Sequence, residues 1–158
     1  MTNNIASELF SITKAFAGGG MVSTMRGVDK SKPDFKIISN LANLFAKEGH
    51  EVWILANVHF KSKEYEVVFG KRTGTKYERK CPDLMIDGEF YEYEGFVKPW
   101  NIKKVSRMFT HGLKQSDRLI IIFFEEAAVI SIKYRIFATK FEKECVWQCF
   151  SFTPSFPN

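Results

Sequence analysis

The stretch KCPDLMIDGEFYEYEGF, residues 80–96, gathers Asp83, Asp87, Glu89, Glu92 and Glu94 in a chain that has 23 Lys and Arg against 18 Asp and Glu. Asp87-Gly88 is a strong hairpin signal, because a type I′ turn needs positive φ at both central residues and Asp and Gly tolerate it. A two-residue loop there fixes the register: Ile86 faces Glu89, Met85 faces Phe90, Leu84 faces Tyr91, and Asp83 faces Glu92. Opposed residues leave the same face of a sheet with Cβ atoms about 4.5–5.5 Å apart. Alternation along the strand puts Glu94 on the face of Glu92 and turns Tyr91 and Tyr93 the other way. Like charges so placed destabilise a sheet unless a hard cation binds them or one acid keeps its proton. Both remedies are features of catalytic centres. A solvated face with the acids paired to Lys80, Lys98 or the next helix would also satisfy the charges.

That helix is expected over about residues 101–115. Ile102, Val105, Phe109 and Leu113 fall on one side at 3.6-residue spacing, and Lys103, Arg107, His111 and Lys114 fall on the other, with Gln115 near its edge. A basic stripe can hold phosphates without reading bases, and a histidine within it can act as general acid or base. A charged face opposite an apolar one is also the ordinary pattern of a surface helix. Tyr91, Tyr93, Phe96 and Trp100 interleave with these charges and suit either base stacking or core packing.

The elements that must position these groups follow from periodicity. Ile5, Leu9, Ile12 and Phe16 sit at helical spacing, so residues 3–17 read as a first helix, ended by the flexible joint Gly18-Gly19-Gly20. Pro33 and Asp34 start, and Gly49 stops, a helix over 34–48 whose apolar positions are Ile37, Ile38, Leu41, Leu44 and Phe45. EVWILANV, residues 51–58, is apolar on both faces and suits a buried central strand. Residues 59–80 carry seven Lys or Arg against three Glu, and read as an excursion from the core with an edge strand at YEVVF. After the acidic hairpin and the basic helix come the apolar strand RLIIIFF, a helix around 127–140 and a strand around 146–152. The middle of the chain thus reads helix, strand, strand, strand, helix, strand, which suits a small mixed sheet flanked by helices.

With 158 residues and 45% hydrophobic content, the chain is about one domain long. Its expected parts are an N-terminal helix and Gly-rich joint (1–30), a core (34–124) and a C-terminal helix and strand (125–158). The net charge of +5 points to an anionic partner. Cys81, Cys145 and Cys149 form no CxxC pair and lack the spacing of a zinc site. The start has no basic leader before an apolar run, and no window nears the roughly 18 apolar residues of a membrane span. The expectation is a cytoplasmic protein with no membrane partner.

The stretches KCPDLMIDGEFYEYEG and KKVSRMFTHGLKQSDRLIII together resemble the core motif of PD-(D/E)xK nucleases. They are most similar to the C-terminal toxin domains of contact-dependent growth-inhibition proteins and their mobile-element relatives. The resemblance covers about residues 37–123 and implies an α/β (α+β) restriction-endonuclease-like core of the element order just read. It implies that Asp83, Glu92 and Glu94 hold Mg²⁺ or Mn²⁺, with Glu94 standing where the family has its lysine. Lys114 and Gln115 match a Lys-Gln pair found near the site in toxin-like relatives, and His111 joins them as a catalytic candidate. Lys80, Lys103, Arg107 and Lys114 would contact the nucleic acid. The implied activity is metal-dependent phosphodiester hydrolysis, on RNA (tRNA included) slightly before DNA, with a cognate immunity protein as a further partner. Two alternatives stay open: a metal-independent barnase- or colicin-like ribonuclease centred on His111 and Arg107, and an inactive module that binds nucleic acid or protein.

Overall fold

Of the helix expected over 3–17, residues 3–7 lie outside the described residues, Glu8 and Leu9 are helical, and from Phe10 the chain is extended. Phe10–Ala15 is a strand, β1, paired antiparallel with β2 at Met21–Met25. Ile12 and Thr13 are β-branched and lose little in an extended chain, and pairing with β2 satisfies backbone groups that a short isolated helix would satisfy only weakly. The register shifts between Ile12 and Lys14, leaving a bulge in β1, and the Thr13 hydroxyl donates to the Val22 carbonyl at 3.1 Å. The expected flexible joint is a tight turn. Phe16 N–H donates to Gly20 O at 2.9 Å and Gly19 N–H to Phe16 O at 3.0 Å, with Gly19 at φ +86°. The computed structural model describes residues 8–96, 102–123, 136–137 and 147–148. These fall into two compact units, Met1–Tyr91 and Glu92–Asn158.

In the first unit, helix α1 spans Phe35–Lys47, as its periodicity predicts, and buries Ile38, Leu41, Ala42 and Ala46. It connects β2 to the parallel strand β3, Glu51–Ile54. Val52 and Ile54 are buried on one face of β3, while Trp53 on the other meets the Phe10 ring edge-on at 4.3 Å. Gly20 lies against the end of α1. A Cβ there would stand 1.9 Å from the Ala46 carbonyl oxygen, so backbone contacts backbone.

The excursion at 59–80 holds a helix, α2, at Lys63–Phe69 and a 3₁₀ turn at Gly70–Arg72, where an edge strand was expected. The reason is local. The Ser62 hydroxyl accepts from Tyr65 N–H at 3.1 Å and caps the first turn, Glu64 and Glu66 favour its positive end, and Tyr65 and Phe69, four apart, are buried together. Cys81 is packed at this core, its thiol donating to the Val58 carbonyl at 3.4 Å.

The acidic hairpin forms as read. Strands β4 (Leu84–Ile86) and β5 (Glu89–Phe96) pair antiparallel as Ile86↔Glu89, Met85↔Phe90 and Leu84↔Tyr91. Asp87 at φ +48° and Gly88 at φ +81° make the turn. The Asp87 carboxylate accepts from His50 Nδ1 at 2.6 Å and from Glu51 N–H at 2.9 Å. Asp87 therefore fastens the turn to β3 and is not a ligand candidate.

In the second unit, the remaining residues of β5 pair parallel with β6, Leu119–Phe123, through helix α3 at Ile102–Gly112. Met108, Leu119 and Ile121 form its core, joined by Phe109 and Leu113. The side chains of Ile102 and Val105 lie outside the described residues. So does most of the helix expected at 127–140, but Ile136–Phe137 is a strand, β7. It pairs antiparallel with β8, Trp147–Gln148, inside the strand expected at 146–152. In hydrogen-bonded order the strands run β1-β2-β3-β4-β5-β6, with β5 entering the ladders of both units. The class is mixed α+β, with three helices among the described residues.

Two predictions follow from these contacts. Gly20→Ala should cost about 1–3 kcal/mol through the forced shift of α1 against the turn, seen as a lower thermal midpoint. Gly18→Ala, whose Cβ would stand 3.7 Å from the Lys47 carbonyl oxygen, should leave that midpoint nearly unchanged. For Asp87, burial raises the carboxyl, but the bonds from His50 and Glu51 N–H outweigh it and hold it below the usual value of 3.8. A lowered folded value means that its contribution is complete above the unfolded value and is lost as pH falls below it. Asp87→Asn keeps a residue that tolerates positive φ, so this variant should lose less of its thermal midpoint than the parent between about pH 5 and about pH 3.

Candidate functional site

Parallel pairing fixes what β5 presents to α3. Glu92 pairs with Leu119 and Glu94 with Ile121, so both acids lie on the face that α3 covers with Met108, while Tyr93 and Ile120 are buried on the opposite face. Glu92 and Glu94 thus share a face, as expected. Glu94 is drawn under the end of the helix. A Cβ at Gly112 would stand 3.2 Å from Glu94 Cγ and 2.2 Å from Leu119 Cδ1, so only glycine lets the strand approach this closely.

The neighbour of Gly112 takes up the acid. His111 Nδ1 lies 2.5 Å from Glu94 Oε1, with the Glu94 side chain 19% exposed and the His111 side chain 66% exposed. An ionised carboxylate only accepts, so the ring must present Nδ1–H to it, which leaves Nε2 of the neutral ring as a lone-pair acceptor facing water. An open cavity of about 540 Å³ adjoins the pair, lined by Glu94, Lys104, Arg107, Thr110, His111 and Lys114 among others. One carboxylate, one imidazole and three cationic side chains therefore border one space. The Thr110 hydroxyl donates to the Ser106 carbonyl at 2.9 Å, which holds that turn of α3 in shape.

Of the residues proposed from sequence, Glu94, Arg107, His111 and Lys114 are brought together here. Lys103 is exposed on α3 but does not line the cavity, and Lys104 does so in its place. Positions 104, 107, 111 and 114 follow i, i+3, i+7 and i+10, a truer helical stripe than one begun at 103, so the signal was present in the spacing. Gln115 lies in the turn beyond α3, its N–H donating to the Gly112 carbonyl at 2.8 Å. Lys80 belongs to the excursion of the first unit.

Of the three acids expected to hold a metal, Asp83 belongs to the first unit and Glu92 and Glu94 to the second. The β4–β5 ladder ends at Leu84↔Tyr91, one step before the expected Asp83–Glu92 pair. Leu55 N–H donates to Asp83 O at 2.8 Å, and the Asp83 side chain borders a small cavity of about 90 Å³ with Asp29, Lys32, Asp34 and Asn57. Glu92 N–H donates to Arg118 O at 3.0 Å, and Glu94 is committed to His111. Among the described residues no group of three or more His, Cys, Asp and Glu side chains could hold a metal ion. The set Asp83, Glu92 and Glu94 therefore does not fit Mg²⁺ or Mn²⁺ as expected.

If Glu94 selects the tautomer, ¹⁵N NMR of neutral His111 should find the proton on Nδ1, and Glu94→Ala should return the ring to a mixture dominated by Nε2–H. An unchanged tautomer in that variant would remove the dyad. No family model, no curated protein and no solved structure matches this chain.

Proposed function

We propose that this chain is a phosphodiesterase acting on nucleic acid, RNA before DNA, with His111 and Glu94 as its acid–base pair. The observation that carries this reading is the 2.5 Å contact between His111 Nδ1 and Glu94 Oε1 beside a cavity edged by Lys104, Arg107 and Lys114. Nε2 of the neutral imidazole accepts the proton of the attacking hydroxyl, which is the ribose 2′-hydroxyl in RNA or a water. Glu94 stabilises the imidazolium so formed, and that imidazolium is an acid able to return the proton to the leaving oxygen. The three cationic side chains offset the negative charge that builds on the phosphoryl oxygens. RNA is favoured because it carries its own nucleophile beside the phosphate.

A second reading is supported by the element order. Over residues 35–123 the order is helix, strand, helix, strand, strand, helix and strand, which contains the order that the motif resemblance implies with α2 inserted after β3. In that reading the reaction is the metal-dependent hydrolysis that the resemblance implies.

Cleavage of labelled RNA and DNA with and without EDTA separates the two. The dyad predicts RNA cleavage that survives chelation, falls about 10²–10⁴-fold in His111→Ala, and falls in the same direction in Glu94→Gln. Loss of cleavage in EDTA, its return with Mn²⁺, and full activity in His111→Ala would transfer the reaction to the metal. No cleavage of either polymer under any condition would leave a binding module.

A further inference from the structure

The excursion at 59–80 holds seven Lys or Arg against three Glu, an excess of +4 in a chain whose net charge is +5. It lies in the first unit and takes no part in the His111–Glu94 pair. Its cations are arranged on rings. Lys61 Nζ lies 5.6 Å and Arg79 Cζ 4.6 Å from the centroid of the half-buried Phe60 ring. Lys76 Nζ lies 4.9 Å from the centroid of Tyr77, and Arg72 Cζ, of a buried arginine, lies 5.0 Å from it. Lys61, Lys63, Lys76 and Lys80 make no ion pair among the described residues, and the Arg79–Glu78 pair is long, at 4.0 Å.

Arg79 is also held at φ +67°, where a side chain other than glycine costs free energy, and its N–H donates to the buried Tyr65 hydroxyl at 2.7 Å. The backbone of Arg79 is thus fixed while its side chain is exposed to solvent. Side-chain cations beside partly exposed aromatic rings match a single strand of nucleic acid, which offers phosphates and unpaired π-faces in alternation. A duplex hides its base faces.

We propose that the excursion is a binding platform for single-stranded nucleic acid, in which the exposed Lys61, Lys76 and Arg79 side chains leave the ring faces for phosphates and bases take their place on Phe60 and Tyr77. The platform is independent of the reaction proposed above. It is therefore tested in the full chain carrying His111→Ala, so that binding is read whether or not the parent cleaves.

The measurement is fluorescence anisotropy of a labelled oligo(dT) 20-mer, with inorganic polyphosphate as a base-free competitor. Tyr77→Leu should weaken oligo(dT) binding by about 5-fold or more and leave polyphosphate binding nearly unchanged. Arg79→Gly removes the cation and accommodates the positive φ, so it should keep the thermal midpoint. It should lower the slope of log affinity against log salt by about 0.7. Affinities unaltered in both variants would overturn the platform. Equal losses for oligo(dT) and polyphosphate in Tyr77→Leu would overturn the role of the rings.

Discussion

The parallel pairing of β5 with β6 governs the candidate site. With Glu92 opposite Leu119 and Glu94 opposite Ile121, the acids share the α3 face with the apolar residues that pack the helix down. A slip of one residue would exchange Glu94 for Tyr93 and place an aromatic ring where His111 needs an acceptor. The same slip would carry Tyr93 out of the opposite face, where it is buried. Core packing and chemistry therefore demand one register, and Gly112 permits the close approach that makes it useful.

The surroundings of position 94 in the second unit give a reason for an acid there. A lysine under Gly112 would set an ammonium against His111 and beside Lys104, Arg107 and Lys114, and like charges would repel. A carboxylate there pairs with the imidazole and lowers the positive charge of the cavity wall. The neighbouring cations then act on a bound anion rather than on one another.

Legibility in the sequence followed the range of the forces. The Asp87-Gly88 turn, α1, α3 and the strand pairing around Met85 were readable because turn chemistry and apolar spacing act within a few residues. β1 was not. Its apolar spacing fitted a helix, and only pairing with β2 and the contact of Gly20 with Ala46 decide otherwise. The helix at Lys63–Phe69 had a signal in Ser62, Glu64 and the Tyr65/Phe69 spacing, but the β-branched pair Val67-Val68 outweighed it. For the acids, alternation along β5 was readable and puts Glu92 and Glu94 on one face, whereas the partner of Glu94 depends on where α3 ends, with His111 beside Gly112.

β1 ends the strand order, and its residues from Ser11 to Ala15 are exposed, Ile12 most of all at 67%. A straight outer strand of this kind invites lateral addition of the same strand from another molecule. The bulge at Thr13 puts its outward amides out of step, and Lys14 next to it brings a charge that a second Lys14 would repel. The misaligned residue and the charge beside it thus weigh against β1 taking a second copy of itself as a neighbour.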